Sequence, residues 1–259
     1  MSEQVKTSQR PADVYFFATC VVDQFFPGAG LDAITLLERA GIRVHFPEEQ
    51  TCCGQPAYTS GFPDEARKVA ALQLTLFPND WPVVVPSGSC AGMMKHHYPT
   101  LFAADPVRKA QADALSSRVH EFTDFLVNVL GWQPEDKGSE CTVVLHTSCA
   151  ARREMGVHLT GRKLLGGLNK VKVAQQDHES ECCGFGGTFC VKYPAISNAV
   201  VSEKAAAVQR SGAQVLLGGD LGCLINMAGK LHRNGSPVRV YHAAEVLAGM
   251  ADAPSISEK

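Results

Sequence analysis

Ten cysteines are spread through the 259 residues, at positions 20, 52, 53, 90, 141, 149, 182, 183, 190 and 223. Two adjacent pairs open the same tripeptide, Cys52-Cys53-Gly54 and Cys182-Cys183-Gly184, and they lie 130 residues apart (52 to 182). The single cysteine before each pair recurs at 129 residues (20 to 149), and the one after it at 133 (90 to 223). The flanks repeat as well: VYFFATC matches VVLHTSC, and TCCGQPAYTSG matches ECCGFGGTFC. The chain is therefore an internal duplication of about 130 residues. Eight cysteines fall into two quartets, Cys20, Cys52, Cys53 and Cys90, then Cys149, Cys182, Cys183 and Cys223. Cys141 and Cys190 have no counterpart in the repeat, and they are expected to pack as small apolar residues.

Four thiolates suit zinc or an iron–sulfur cluster, both of which take soft sulfur ligands. Structural zinc sites usually draw on close pairs, two to four residues apart, on short knuckles. Here the ligands come singly from distant loops, apart from the adjacent pair, a spacing that favours a cluster over one small ion and leaves zinc open. Gly54 and Gly184 follow the pairs, Gly186 and Gly187 extend the second loop, and Gly88 precedes Cys90. Glycine tolerates positive φ and close backbone approach, so it lets amide N–H groups point at sulfur.

The elements between the cysteines explain how they could converge. Val14–Ala18, Ile42–Phe46 and Pro82–Val85 read as strands in the first half, and Thr142–His146, Val171–Ala174 and Gln214–Leu217 match them in the second. Helical periodicity or bounding prolines place helices over Leu31–Ala40, Asp64–Phe77, about 152–168 and 194–211. Val238–Tyr241 adds a strand, and Ala243–Met250 a last helix. Alternating strands and helices predict two tandem α/β domains with parallel, Rossmann- or flavodoxin-like sheets. The expected bounds are 14–135 and 136–250, with a disordered tail over 1–13 and a second tail over 251–259. Each repeated cysteine falls just after a strand, and strand-to-helix loops of an open parallel sheet leave by one edge.

Composition bounds the rest. Hydrophobic residues make up 45% and charged residues 19%, with a net charge of -2, so a disordered chain or a basic nucleic-acid footprint is not expected. Residues 1–13 are polar, and the apolar run Val14–Val22 is too short for a membrane span. A cytoplasmic protein is expected, and in a reducing compartment clustered cysteines point to metal ligation or redox chemistry rather than disulfides. There is no GxGxxG turn, Walker loop or GxSxG elbow, hence no nicotinamide or flavin site of those types and no catalytic residue legible by motif.

The stretches TCCGQPAYTSG, PSGSC, HTSCAARREMGV, CCGFGGTFCVK, GCLINMAGKL and HAAEVL resemble the CCG-domain proteins. That family includes the B subunit of heterodisulfide reductase and the iron–sulfur subunit of glycolate oxidase. The resemblance implies two similar α/β domains with cluster sites near their junction, the two quartets supplying the ligands. It also implies one component of a complex oxidising L-lactate to pyruvate, with a ferredoxin-type iron–sulfur protein and a small third protein as partners. The heterodisulfide reductase pattern carries a fifth cysteine per site, where this chain has Met93 and Asn226. Four cysteines imply an ordinary [4Fe-4S] cubane, with zinc in one half as the alternative, and they put disulfide reduction in doubt. His146 and His178, near Cys149 and Cys182, are candidates to hydrogen-bond a cluster sulfur or carry a proton. Arg152 and Arg153 could offset an anionic cluster or hold a carboxylate.

Overall fold

The computed structural model describes residues 10–249 and 254–258. Most of the expected N-terminal tail, the last residue of the expected final helix (Met250), and residues 251–253 and 259 lie outside the described residues.

The chain forms two four-stranded parallel sheets. The first is built from β1 (Asp13–Phe16), β2 (Arg43–His45), β3 (Val83–Val85) and β4 (Val119–Glu121), in the order β2-β1-β3-β4. The second repeats that order with β5 (Cys141–His146), β6 (Val171–Val173), β7 (Val215–Gly218) and β8 (Arg239–His242), as β6-β5-β7-β8. Register is equivalent in the two, with Phe16 opposite Val84 and Val84 opposite His120 in one, Leu145 opposite Leu217 and Leu217 opposite Tyr241 in the other. The duplicated α/β architecture expected from the sequence is thus the observed one. Val83, Val84 and Val85 are all fully buried, as expected of a parallel strand covered on both faces.

Several elements differ from the sequence reading. β4 was not expected: its three residues, Val-His-Glu, carry too little apolar pattern to register as a strand, yet they pair with β3 along their length. The helix expected over about 152–168 is two, Cys149–Met155 and Val157–Leu165, divided at Gly156, whose φ of 64° breaks the helical path. Helices Pro106–Ser117 and Leu221–Arg233 were also not anticipated.

The two halves share a core. Phe16, Leu37, Phe122 and Phe125 from the first half sit in one apolar cluster with Leu145, Leu164, Leu217 and Leu247 from the second. The exchange is reciprocal. The segment 122–129 leaves β4 and packs on helix Val157–Leu165, while helix Ala243–Leu247 leaves β8 and packs on helix Pro27–Arg39. Two further clusters cover the outer faces of the sheets. Beside β8, Ile256 is buried and its amide donates to the Val240 carbonyl.

Helices Gly88–Gly92 and Cys149–Met155 cross at the junction, where a Cβ on Gly88 would lie 2.3 Å from the Ala151 side chain. We expect Gly88→Ala to force these helices apart and destabilise the chain by about 1–3 kcal/mol in chemical denaturation. A second expectation concerns Glu121, which is buried beneath the junction at the start of segment 122–129 and accepts hydrogen bonds from the amides of Thr123 and Asp124. Burial pushes its carboxyl up to about 7 from an ordinary 4.5. A raised folded-state value means the folded chain holds the proton longer than the unfolded one, so Glu121 favours folding at low pH and this contribution is lost as pH rises from 4.5 through about 7. Glu121→Gln should abolish that decline, measured as denaturation midpoints at pH 5 and 8.

Candidate metal centre

In each sheet the chain runs from the central strand to one neighbour and then crosses to the other side, which opens a crevice at the carboxyl ends of β1 and β3, and of β5 and β7. The repeated cysteines occupy those ends. Cys20 and Cys149 begin the helices after β1 and β5, Cys52-Cys53 and Cys182-Cys183 lie in the loops after β2 and β6, and Cys90 and Cys223 sit in the first turns after β3 and β7. Three adjacent strands therefore aim four thiols at one place, twice. The two crevices face each other, so all eight cysteines line a single cavity of about 420 Å³. Cys141 and Cys190 are not among its lining residues: Cys141 opens β5, and the Cys190 thiol lies 3.5 Å from the Gly187 carbonyl.

The adjacent pairs depend on their glycines. Gly54 and Gly184 are left-handed, at φ 86° and 81°, and each turns its amide back onto the first sulfur of its pair, 3.4 Å to Cys52 Sγ and 3.3 Å to Cys182 Sγ. The turn directs both neighbouring side chains inward. A side chain would be tight at Gly54 and would clash at Gly184. A Cβ on Gly54 would lie 3.2 Å from the Ala66 carbonyl oxygen, and one on Gly184 only 2.7 Å from that of Ser197. Thr19, immediately before Cys20, also has a positive φ of 67°, an unfavourable conformation for a β-branched residue.

Within each quartet the thiols bond to one another. Hydrogen bonds from Cys20 and Cys53 hold Cys52 far below the ordinary thiol value, at about 3, while that sharing and burial push Cys20 and Cys53 up. The second quartet does the same: Cys149 and Cys183 hold Cys182 down and are themselves pushed up. The first sulfur of each pair is thus the one its neighbours favour as a thiolate, and a metal ion among the sulfurs would favour ionisation further. Eight soft donors, amides aimed at two of them and a cavity of this size fit a sulfur-ligated metal group.

The other sequence candidates divide. His146 is buried at the end of β5 with neither ring nitrogen hydrogen-bonded, and one of them lies within 4.8 Å of the Cys183 and Cys223 sulfurs. Burial drives its pKa down to about 3, so the ring is neutral. His178 instead turns away to Glu181, 2.7 Å distant. Arg152 pairs with Glu179 at 3.0 Å, and Arg153 is exposed. Met93 is buried in the outer core of the first half, while Asn226 donates to the Cys183 carbonyl at 2.9 Å, bracing the loop. His96 and His97 clasp Glu154 across the junction.

Asp220 was not foreseen. It lines the cavity three residues before Cys223 and accepts from Ser87 Oγ at 2.8 Å and the Ser89 amide at 3.0 Å, tying one half to the other. Its signal was the repeat itself, which sets an acid in the second half where the first has Ser87.

A duplicated parallel α/β unit with a thiol quartet at each carboxyl edge defines a cysteine-rich domain protein, and the family described as CCG, cysteine-rich domain, matches residues 14–95 and 143–228. The chain is 45% identical over 237 residues to lactate utilization protein A 1 of Bacillus mycoides, covering 90% of this chain and 96% of that protein. It is 44% identical over 234 residues to lactate utilization protein A of Bacillus subtilis, covering 90% and 98%. With relatives of that extent, the chain belongs to the lactate utilization protein A family of cysteine-rich domain proteins. A hypothetical protein from Helicobacter pylori shares the fold at a TM-score of 0.65 and 12% identity. It aligns with 94% of this chain, which spans half of that structure's length. No helix among the described residues is long and apolar enough to cross a membrane.

The two glycines are not equally crowded, and this sets an order of effects. Gly54→Val and Gly184→Val should each strain the backbone by about 1–3 kcal/mol and lower metal content in their own half. Gly184→Val should be the more severe, because its Cβ would overlap a backbone oxygen. Metal analysis of the two variants checks both statements; undiminished metal in Gly184→Val would mean that the turn does not position the pair.

Proposed function

We propose that each quartet holds an iron–sulfur cluster, [4Fe-4S] in type, and that the chain is the electron-transfer subunit of an L-lactate-oxidising system. The observation that carries this reading is the single cavity lined by both quartets. Cys20, Cys52, Cys53 and Cys90 would hold one group, and Cys149, Cys182, Cys183 and Cys223 the other, with the Gly54 and Gly184 amides bonded to the sulfurs of Cys52 and Cys182. When bound, such clusters supply one-electron transfer over a wide range of potential. Oxidation of lactate to pyruvate releases two electrons and two protons, a stoichiometry that two one-electron centres match. The names of the relatives support lactate as the fuel.

The protein's own residues serve this role by fixing the sulfurs. Cys53 and Cys183 are almost fully buried, and Ser60 Oγ, at the end of helix Gln55–Thr59, meets Thr188 Oγ1 of the second pair's loop at 2.6 Å. The partners in this reading are a ferredoxin-type iron–sulfur protein, which takes the electrons on, and a third small subunit, in the reducing cytoplasm. The environments of Met93 and Asn226 weigh against the disulfide-reducing alternative, since neither position offers a fifth thiol.

Anaerobically prepared protein should contain iron and acid-labile sulfide at two clusters per chain, with little zinc. Less than one iron per chain after reconstitution with iron and sulfide would overturn the reading, and stoichiometric zinc would favour a scaffold without redox chemistry. Cys141→Ser and Cys190→Ser should leave the metal content unchanged, whereas Cys53→Ser and Cys183→Ser should each remove about half of it.

A further inference from the structure

The repeat makes the two quartets look equivalent, but the buried side chains around them are not. The register that pairs Cys20 with Cys149 also pairs Phe17 with His146, and both are almost fully buried at the end of the central strand. The register that pairs Pro63 with Pro194, at the starts of equivalent helices, also pairs Gln73 with Lys204. Gln73 is fully buried and neutral, and its Nε2 donates to Thr51. Lys204 is 1% exposed, and its Nζ donates to the carbonyls of His178 and Glu179, in the loop that leads to Cys182. The second quartet therefore has a buried ammonium and an unpartnered imidazole where the first has an amide and a phenyl ring.

Both differences act in the same direction on a group held by the sulfurs. Reduction adds negative charge, and an N–H donor to sulfur or a nearby cation in a low-dielectric surround stabilises that charge. A neutral imidazole carries one N–H, and four thiolates already complete the coordination of a cubane, so the donor role is the one open to His146. Among the carboxylates near this half, Glu179 is paired with Arg152 and Arg162, and Glu181 faces solvent beside His178. Asp220 opposes the ammonium, but it lines the cavity between the halves, bonded to Ser87 and Ser89, and so acts on both centres.

Resting on the two-cluster reading above, we propose that the second-half centre has the higher reduction potential, that His146 and Lys204 set the difference, and that electrons pass from the first-half centre to the second. Each transfer is a one-electron step that oxidises the first centre and reduces the second. The ferredoxin-type partner then takes the electron from the second half.

A potentiometric titration of the anaerobic protein, followed by electron paramagnetic resonance, tests this. Two separate reduction steps are expected. Cys53→Ser and Cys183→Ser, each retaining one centre, assign them: the step at higher potential should survive in Cys53→Ser and vanish in Cys183→Ser. His146→Phe with Lys204→Gln copies the first-half residues and should bring the two steps together at unchanged iron content. His146→Gln, which keeps an N–H donor, should retain part of the separation. Exchangeable-proton coupling to the second centre should be lost in His146→Phe. Coincident steps in the unaltered protein, a higher step assigned to the first half, or an undiminished separation in the fully loaded double variant would each overturn the proposal. Strong nitrogen coupling from His146 would overturn its donor role in favour of ligation. If the double variant loses iron, the order of the two steps in the unaltered protein decides alone. Protein that binds no iron fails the two-cluster reading itself, which the iron assay separates from a failure of this inference.

Discussion

Sulfur anions repel one another, and burial raises the cost of ionising each, so four thiolates could share a small volume only where the backbone holds them there and a cation offsets their charge. Much of the molecule follows from that constraint. Parallel strands supply the convergence, because all their carboxyl ends lie on one edge. The left-handed glycine after each pair supplies the one turn that aims two neighbouring side chains at the same point. Its amide returns to the first sulfur of the pair, offsetting part of the repulsion. In each quartet hydrogen bonds from neighbouring thiols lower the pKa of the first sulfur of the pair.

The shared core serves the same end. Two independent domains could each hold a quartet, but nothing would then fix one cavity between them. Each half here sends its final helical segment across to cover the other, and the middle apolar cluster is built from both. Close backbone approach at Gly88 and the Asp220 bridge to Ser87 and Ser89 complete the join. His242 adds to it at the start of helix Ala243–Leu247, with Nε2 within 3.0 Å of both the Pro86 and Gly219 carbonyls and Nδ1 accepting from the Ala244 amide. That pattern places a proton on Nε2. Glu121 stands at the matching place after β4 and caps the segment 122–129 in the same way.

The quartets were legible in the sequence because the repeat marks them twice, and the strands because valine-rich runs punctuated by glycine and proline have few other uses. β4 was not, because Val-His-Glu gains its strand character from pairing with β3, a tertiary effect. The break at Gly156 was hidden inside a continuous helical pattern, where a single glycine is also compatible with an unbroken helix. The crossing of terminal helices leaves no local signal, since an apolar face reads the same whichever half covers it. Asp220 required aligning the repeats beyond their cysteines, residue by residue.

That alignment shows where the two copies have parted. Positions that shape the backbone are the same in both: the glycine after each pair, the proline opening the following helix, the cysteine at the turn after each central strand. Among the positions that differ are buried or part-buried side chains near sulfur or at the junction, Phe17 against His146, Gln73 against Lys204, Ser87 against Asp220, Met93 against Asn226. Each change puts a charge or a hydrogen-bonding group into the second copy where the first is neutral or apolar. A buried polar group costs free energy unless it is partnered, so its presence calls for a compensating interaction. Asp220 and Asn226 find theirs in protein groups, and Lys204 in two carbonyls. His146 finds none among the described residues, and one of its ring nitrogens lies within 4.8 Å of the sulfurs of Cys183 and Cys223.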